Sequence, residues 1–156
     1  LVYKIYVCEA SSMDRIENCI SFLAGKGAQT MSRLTRDCLA PYGITPVQYA
    51  VLQVLWEKDG QSAKTISERL IIDSATITGL IDRLERDSLV QREASPEDRR
   101  INLVFLTARG ISLRTPLQDS MNTLNSQVAA AIGPEADTLW RLLERLAQTK
   151  IGHTNV

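Results

Sequence analysis

The hydrophobic pattern of the chain changes period abruptly after residue 88, and this change restricts the possible folds more than any other feature. Residues 73–87 (DSATITGLIDRLERD) place isoleucine and leucine three and four positions apart, which predicts a helix with one apolar face. Residues 89–93 (LVQRE) and 101–107 (INLVFLT) flank the polar turn ASPEDRR and predict the two strands of a β-hairpin. The sequence therefore predicts a small helical core with a hairpin attached directly to its last helix.

Two shorter helices are predicted immediately before this amphipathic helix. Pro46 disfavours a helical conformation at the residue before it and is well suited to the first turn of a new helix. The three predicted helices cover residues 47–58, 62–70 and 73–87, with Thr45, Ser62 and Asp73 as N-terminal capping residues. The apolar residues expected to bury the first helix are Val47, Ala50, Val51, Val54 and Leu55. Three helices joined by short turns are typical of a helix-turn-helix unit.

Longer helices are predicted on both sides of this unit. The first covers residues 13–40, where apolar residues recur at helical spacing through a GKG sequence at 25–27 that weakens the helix. The second begins with Thr107 as its cap and is expected to bend at Pro116. The sequence GPEAD at 133–137 ends it and starts a last helix. The apolar face of that last helix consists of Leu139, Leu142, Leu143 and Leu146.

The expected fold class is mainly α with a small β-hairpin wing, in which a winged helix-turn-helix core is flanked by N- and C-terminal dimerisation helices. The expected regions are an N-terminal extension at 1–12, a helical dimerisation region at 13–40 and 107–150, a winged helix-turn-helix region at 44–106, and a C-terminal tail at 151–156. The terminal helices carry apolar faces that three short helices and a hairpin cannot cover. We therefore expect a second copy to cover them, giving a homodimer.

The composition argues against several classes of protein. Lysine and arginine together number 18, as do aspartate and glutamate, so the chain has no overall positive charge to attract nucleic acid. Its apolar runs are shorter than the roughly 18 to 20 residues of a membrane-spanning helix. The first residues also lack the pattern of a secretory signal. We therefore expect a cytoplasmic protein without membrane association, in which DNA binding depends on local charge placement.

Neither an enzyme nor a metal site is expected. Three cysteines at positions 8, 19 and 38 and one histidine at position 153 lack the spacing of metal ligands. The chain also has no phosphate-binding loop and no motif that activates a nucleophile. We therefore expect no cofactor and no catalytic activity, and the function should rest on binding.

The polar face of the helix at 73–87 is the best candidate for DNA binding. Small and hydroxyl-bearing residues at its start allow a backbone to approach closely, and arginines near its end suit phosphates or guanine edges. The residues expected to contact DNA there are Ser74, Ala75, Thr76, Thr78, Gly79, Arg83 and Arg86. A solvent-exposed scaffold helix, the alternative, would usually carry more glutamate and lysine. Asp82 on the same face is expected either to pair with Arg86 or to accept a hydrogen bond from a cytosine amino group.

The hairpin turn places two arginines, Arg99 and Arg100, beside this helix. A β-ribbon tip carrying arginine can enter an adjacent minor groove, where narrow A·T-rich segments concentrate negative potential. Asp98 is placed to orient one arginine before DNA arrives, which lowers the entropy lost on binding. Asp98, Arg99 and Arg100 therefore complete the predicted DNA-binding set.

These motifs resemble the multiple-antibiotic-resistance regulator (MarR) family of winged-helix repressors. The resembling segments are ITPVQYAVLQVL at 44–55, DSATITGLIDRLERDSLVQR at 73–92 and SPEDRRINLVFLTARG at 95–110, together with the flanking helices. The resemblance implies a homodimeric repressor of a double-stranded DNA operator. It also implies that Arg100 enters the minor groove and that Asp98 steadies it.

One position departs from the family pattern, which often has glycine where this chain has Ser88. A glycine there would end the preceding helix in the left-handed conformation without steric cost. We therefore expect Ser88, or its neighbour Asp87, to adopt that conformation at some cost in stability.

The resemblance also implies that a small molecule, often anionic or aromatic, or an oxidant releases the DNA. A ligand pocket is expected between the first helix, the helix at 47–58 and the helix after Thr107. The polar residues that this pocket would use are Ser32, Arg36, Tyr49 and Gln53. Arg36 suits a carboxylate, a phosphate or an acyl thioester. The structural alternatives are a core position for Tyr49 and a solvated or interface charge for Arg36.

Two alternative functions share the same fold. In the first, Cys19 senses oxidants, as a reactive cysteine near the start of the first helix does in one branch of the family. The position that matches that cysteine lies nearer to Ser21, and residues 19–36 contain no tyrosine to activate a thiol. In the second, the winged unit binds another protein, which would favour acidic or large apolar residues on the exposed helix and no wing arginine.

Overall fold

The computed structural model describes residues 15–149, which form seven α-helices and three strands. Helices α1 to α7 cover Ile20–Leu39, Pro46–Glu57, Ala63–Leu70, Ser74–Arg86, Ala108–Ser112, Arg114–Ile132 and Ala136–Gln148. Strands β1 to β3 cover Gln61–Ser62, Val90–Ala94 and Asn102–Leu106. Short 3₁₀ turns occupy Ile16–Asn18, Ala40–Tyr42 and Gly133–Glu135. The predicted fold class, mainly α with a β-hairpin wing after a helix-turn-helix, is confirmed.

The wing is an antiparallel hairpin to which a third, very short strand is added. Strands β2 and β3 pair with Val90 opposite Leu106, and β1 pairs with the other edge of β3 with Gln61 opposite Val104. The Gln61 side chain donates to the Val54 carbonyl at 3.1 Å and so ties β1 to the end of α2. A two-residue strand is too short to show an alternating pattern, which is why the sequence predicts only the hairpin.

The hydrophobic core lies between α2, α3, α4 and the sheet. Its fully buried members are Val51, Leu52, Leu55, Ile66, Ile77, Ile81, Leu84, Leu89, Val90 and Val104. Leu39 of α1 and Leu117 of α6 are equally buried in this core and anchor the two long helices on it. The winged unit therefore closes its own core and holds the end of α1 and the start of α6 in place.

The predicted capping residues begin all three helices of the helix-turn-helix. The Thr45 hydroxyl accepts from the Gln48 amide at 3.3 Å, and the Gln48 side chain accepts from the Thr45 amide at 2.9 Å, which completes a capping box. Ser62 and Asp73 accept from the amides three residues later, at 3.1 and 2.9 Å. These side chains satisfy helix N–H groups that have no partner within the helix.

The prediction that Val47 faces the core is wrong, because its side chain is 42% exposed. The buried face of α2 instead passes through Gln48, Val51, Leu52 and Leu55. Gln48 tolerates burial because its side-chain oxygen is occupied by the capping box. The capping geometry therefore turns the first helical residues so that an amide side chain, and not valine, enters the core.

The first long helix differs from its prediction at its start. Helix α1 begins at Ile20, after a 3₁₀ turn and the extended residue Cys19, whereas the predicted start at Met13 lies outside the described residues. The helix continues through Gly25 and Gly27 without interruption. The predicted extension at 1–12 and tail at 151–156 also lie outside the described residues.

The predicted bend at Pro116 occurs one turn earlier, as a break between α5 and α6. Thr107 caps α5 by accepting from the Gly110 amide at 3.1 Å, as predicted, but α5 ends at Ser112 and α6 starts at Arg114. Pro116 has no N–H for the Ser112 carbonyl, and its ring clashes with a helical carbonyl four residues before it. The break therefore places the proline in the first turn of α6, where it is tolerated.

Three consecutive carbonyls join the end of α4 to the start of α5. The Asp87, Ser88 and Leu89 carbonyls accept from the Arg109 side chain at 2.8 Å, the Thr107 hydroxyl at 2.7 Å and the Thr107 amide at 3.1 Å. The Leu89 amide donates in turn to the Leu84 carbonyl of α4 at 2.9 Å. These bonds fix the junction between α4, the wing and helix α5.

Ser88 has the left-handed conformation expected from the sequence, with φ of 56°. Replacing Ser88 with glycine is expected to raise the free energy of unfolding by about 1 kcal/mol, because a residue with a Cβ pays roughly that amount there. Urea denaturation at fixed protein concentration measures the change. Ser88→Ala, which keeps the Cβ, serves as the control, and an equal gain in both variants would rule out backbone strain as the cause.

The terminal helices expose the apolar faces predicted for them. The large apolar side chains that are at least 42% exposed there are Ile16, Ile20, Leu23, Ile132, Trp140, Leu142, Leu143 and Leu146. None of the helices within residues 15–149 is sufficiently long and apolar to cross a membrane. The exposed faces therefore form surfaces that the chain itself does not cover in the described region.

Candidate nucleic-acid interface

Helix α4 separates an apolar face from a polar face in the predicted way. Ile77, Leu80, Ile81 and Leu84 are buried. The predicted DNA-contacting residues on the opposite side are exposed or, for Gly79, half-buried: Ser74, Ala75, Thr76, Thr78, Gly79, Arg83 and Arg86. A Cβ added to Gly79 would meet no atom within 4 Å, so the helix surface is open at that position. The helix therefore presents one continuous polar face built from small residues, two arginines and Asp82.

The hydroxyl groups at the start of α4 already have partners inside the helix. Thr76 donates to the Asp73 carboxylate at 2.6 Å, and Thr78 donates to the Ser74 carbonyl at 2.8 Å. The Thr76 side chain and the backbone N–H groups around it lower the pKa of Asp73 below its ordinary value. These bonds leave hydroxyl oxygens as acceptors and methyl groups as apolar contacts on the exposed surface.

The wing loop holds Arg100 in one orientation. One oxygen of Asp98 accepts from the Arg100 amide at 3.0 Å and from Nε at 3.1 Å, and the other accepts from a terminal nitrogen at 3.1 Å. The Arg100 side chain is nevertheless 91% exposed. The guanidinium beside Asp98 lowers the pKa of this carboxyl, and the Arg100 amide adds to the effect. The arginine is thus pre-oriented while remaining open to a ligand on the solvent side.

The loop itself is closed by backbone bonds. The Ser95 amide donates to the Ile101 carbonyl at 2.8 Å, and the Ile101 amide donates to the Asp98 carbonyl at 2.9 Å. Ser95 is buried, and its hydroxyl accepts from the Glu97 amide at 3.3 Å. Arg99 lies exposed at the tip and forms no ion pair with any residue in the range 15–149. The loop therefore presents one held arginine and one free arginine.

Asp82 does not form the predicted pair with Arg86. Its carboxylate accepts from Arg92 of β2 at 2.6 Å, and the other terminal nitrogen of Arg92 donates to Glu85 at 2.6 Å. Arg86 is exposed on the other side of this cluster. Helical spacing favours Arg86 for Asp82, but the wing folds back along α4 and brings a better-placed guanidinium from outside the helix.

Arg92 is the residue of this region that sequence reasoning missed. Its side chain is 27% exposed, compared with 50% for Asp82 and 39% for Glu85. The only sequence signal for it is the alternation in β2, which places Val90 and Arg92 on the same side of the sheet. An arginine on the inward face of a strand implies partners on the adjacent helix.

The four residues predicted to bind an effector fall into two groups. The Tyr49 hydroxyl donates to the Gln53 side chain at 3.4 Å, and Gln53 also accepts from Gln118 of α6 at 3.4 Å. The Tyr49 ring meets Trp56 edge-on at 6.0 Å between centroids, and burial raises the pKa of Tyr49. Ser32 and Arg36, by contrast, lie exposed on α1.

Two surface cavities lie on the long helices of the described region. The larger, about 360 Å³, lies between α1 and α6, and the smaller, about 280 Å³, lies between α6 and α7. The larger is lined by Leu34, Asp37, Cys38, Ser120, Thr123, Leu124 and Gln127. Their walls contain none of Ser32, Arg36, Tyr49 and Gln53. The proposed effector residues therefore remain a prediction.

Cys19 occupies the position immediately before α1. Its sulfur lies 2.9 Å from the Ser21 hydroxyl oxygen, and this hydrogen bond, followed by the Phe22 amide, lowers the pKa of the thiol. Cys38 differs because its thiol donates to the Ser120 carbonyl of α6 at 3.3 Å. Of these two cysteines, Cys19 is the one in an environment that favours a thiolate.

Comparison with known proteins extends the resemblance beyond single motifs. The sequence model of the MarR family matches residues 44–101. The transcriptional regulator TtmR of Methylorubrum extorquens is 35% identical over 135 residues, which are 86% of this chain and 67% of that protein. The organic hydroperoxide resistance transcriptional regulator of Bacillus subtilis is 32% identical over 137 residues, covering 86% of this chain and 93% of that protein.

Solved structures agree with the sequence comparison. The PcaV transcriptional regulator of Streptomyces coelicolor, solved in complex with its natural ligand, superposes with a TM-score of 0.77 and 25% identity. The superposition covers 89% of this chain and 99% of that protein. The likeness thus includes the winged unit and most of the long helices on either side of it.

Proposed function

Because the chain belongs to the MarR family of DNA-binding transcriptional regulators, we propose that it is a homodimeric repressor whose two winged units bind the half-sites of a pseudo-palindromic operator. The observation that carries this proposal is the Arg100 guanidinium, which is held by Asp98 and extended into solvent at the tip of the wing. A free arginine would lose more side-chain entropy on binding than one already held in place.

In this proposal, α4 enters the major groove and the wing enters the neighbouring minor groove. The open surface at Gly79 and the small residues around it let the helix approach the base edges closely. Arg83 and Arg86 near the helix end suit phosphate oxygens or guanine edges. The chain has no net charge, so binding should depend on which of its charged residues face the DNA. Contacts between arginines and phosphates should also make binding weaker as the salt concentration rises.

The exposed apolar faces of the terminal helices support the homodimer. Four large apolar side chains of α7 are between 42% and 54% exposed: Trp140, Leu142, Leu143 and Leu146. A contiguous apolar patch of this kind is unusual on a surface that faces only solvent. A second copy that covers these residues would place two winged units at a fixed separation. Half-sites about one helical turn apart tolerate little change in that separation.

We further propose that a small anionic or aromatic effector, or an acyl thioester, changes this separation and releases the DNA. The likeness to PcaV, which was solved with its natural ligand, supports a ligand-responsive regulator. The polar chain of Tyr49, Gln53 and Gln118 links α2 of the winged unit to α6. An effector bound by Tyr49 and Gln53 would act on both elements, with Arg36 and Ser32 supplying further polar contacts.

Fluorescence anisotropy tests the proposed function directly. The protein is titrated into labelled duplexes of its own upstream intergenic DNA and of a scrambled sequence, at two salt concentrations. Nanomolar binding with a clear preference for the native duplex is expected. Equal and weak binding to both duplexes would contradict sequence-specific regulation of its own upstream region and favour a protein-association role for the winged unit.

A second candidate, oxidant sensing through Cys19, is favoured by the lowered pKa of this thiol and by the likeness to the hydroperoxide resistance regulator. In this mechanism the Cys19 thiolate attacks one peroxide oxygen and becomes a sulfenic acid, and the other oxygen leaves as an alcohol after taking up a proton. The absence of tyrosine from residues 19–36 distinguishes this thiol from the tyrosine-activated type.

We predict that iodoacetamide alkylates Cys19 several times faster than Cys38 at neutral pH. The lowered pKa of Cys19 increases its thiolate fraction at a given pH, whereas the Cys38 thiol donates a hydrogen bond to the Ser120 carbonyl of α6. Peptide mass mapping over time and pH gives both rates in one sample. Replacing Ser21 with alanine should slow the Cys19 reaction, and equal rates for the two cysteines would remove the basis for thiol sensing.

A further inference from the structure

Two carboxylates lie on the helix proposed to enter the major groove. Asp82 and Glu85 are one turn apart on α4, with side chains 50% and 39% exposed. Arg83 and Arg86, the proposed phosphate-binding residues, lie next to them in the sequence. Free carboxylates at this place would repel the phosphates that the arginines attract. The helix therefore needs a means of neutralising them if it is to bind DNA.

Arg92 of β2 supplies a positive charge to both carboxylates. Its two terminal nitrogens each lie 2.6 Å from one carboxylate oxygen, of Asp82 and of Glu85, and its amide donates to Glu85 at 3.3 Å. The two terminal nitrogens of the fork thus point to separate acids. The side chain is 27% exposed, so it is the least accessible member of the cluster. The two carboxylates use two of the five N–H donors of the guanidinium, and their negative charges offset the attraction of this group for a phosphate.

We infer that Arg92 is a positioning residue for DNA binding, which fixes the wing to the last turns of α4 and offsets one of the two negative charges of Asp82 and Glu85. Through its side chain, the first strand of the wing and the recognition helix move as one body. Arg100 at the wing tip and Arg83 on the helix then keep a constant separation across two adjacent grooves. This inference rests on the proposed operator binding and adds a residue that acts without contacting DNA.

A set of charge variants tests the inference. Arg92→Gln leaves both carboxylates unpaired, and the triple variant Asp82→Asn, Glu85→Gln, Arg92→Gln removes every charge of the cluster while keeping hydrogen-bonding groups. Arg69→Gln is the matched control, since Arg69 pairs with Glu57 across α3 and α2 and its side chain is 46% exposed. Binding of each protein is measured by anisotropy on the native upstream duplex and on the scrambled duplex at two salt concentrations.

Arg92→Gln is expected to weaken binding about tenfold at low salt, because two unpaired carboxylates then face phosphate. The triple variant is expected to recover to within about threefold of the unaltered protein, and Arg69→Gln to stay within about twofold. The double variant Asp82→Asn, Glu85→Gln, which keeps Arg92, makes the readout decisive: it should bind as tightly as the triple variant if Arg92 acts only through the carboxylates, and more tightly if Arg92 itself contacts DNA. A triple variant as weak as Arg92→Gln, or an unchanged Arg92→Gln, would overturn the inference.

Hydrogen exchange in the absence of DNA examines the attachment of the wing separately. Faster exchange of the β2 amides is expected in Arg92→Gln, and exchange equal to that of the unaltered protein would contradict the positioning role. If Arg92→Gln fails to fold, Arg92→Lys takes its place, and it should lose an intermediate amount of affinity because lysine lacks the planar fork. Equal binding of the unaltered protein to both duplexes would overturn the operator proposal but not this inference. The relative affinities of the variants can be measured on either duplex, so they test the role of Arg92 in both cases.

Discussion

Replacing Arg100 with alanine is expected to weaken operator binding by about 1 to 3 kcal/mol, or roughly 5- to 150-fold, while the dimer stays intact. Arg100 is 91% exposed and its only described ion pair is with Asp98, so its removal leaves the core unaffected. What is lost is a pre-oriented guanidinium that, in the proposed function, enters the minor groove with little further ordering. Anisotropy on the native duplex measures the affinity, and size-exclusion chromatography measures the oligomeric state.

Two neighbouring variants define the source of the effect. Arg99→Ala removes the same charge from the loop tip, but the Arg99 side chain is not oriented by an ion pair with any residue in 15–149, as Arg100 is. We therefore expect a smaller loss of affinity. Asp98→Asn keeps Arg100 but weakens its orientation, because a neutral amide replaces the carboxylate that accepts from Nε and the terminal nitrogen. An intermediate loss is expected. Unchanged affinity in Arg100→Ala would remove the wing from the DNA-binding mechanism.

Replacing Gly110 with alanine is expected to lower the free energy of unfolding by about 3 kcal/mol, the upper part of the usual range for overpacking. A Cβ at this position would overlap the Leu89 carbonyl oxygen and lie 3.2 Å from the Leu106 side chain. The Gly110 carbonyl also accepts from the buried Trp56 indole at 3.0 Å. Moving α5 to make room would strain that bond and the Thr107 to Leu89 bond together.

Gly79→Ala provides a control of opposite sign for the same chemical change. Gly79 lies in a helix with open space around its missing Cβ, so alanine should stabilise the protein by about 1 kcal/mol through helix propensity. Urea denaturation is measured at one protein concentration, because dimerisation would otherwise change the apparent stability. A Gly110→Ala protein as stable as the original would show that α5 shifts without cost. Gly79→Ala should nevertheless bind DNA more weakly if α4 approaches the bases closely.

Local sequence signals predicted the helix-turn-helix well because they act within a few residues. The capping side chains of Thr45, Ser62 and Asp73 bond to amides only three positions away, so their effect is visible in the sequence. The apolar stripe of α4 is equally local, because four large side chains at helical spacing bury one face of a helix. The wing pair of Asp98 and Arg100 joins residues two positions apart and could be anticipated for the same reason.

The features that sequence reasoning missed depend on contacts between distant elements. Arg92 pairs with Asp82 ten positions away because β2 returns along α4, and helix spacing alone favoured Arg86. Strand β1 exists because its two residues meet the edge of β3, some forty positions later in the chain. The exposure of Val47 follows from the capping box that turns Gln48 inward. The helix breaks at Leu113 and not at Pro116, because the carbonyl with which the proline ring would clash lies four residues before the proline.

The backbone N–H and C=O groups of Leu89 form hydrogen bonds with two different elements of the fold. Its N–H holds the last turn of α4, and its C=O holds the first residue before α5. A displacement of α5 would therefore act on the last turn of α4 directly, through the backbone hydrogen bonds of residues 87–89. If the long helices respond to an effector as we propose, this hydrogen-bonded junction gives them a direct route to the helix proposed to contact DNA.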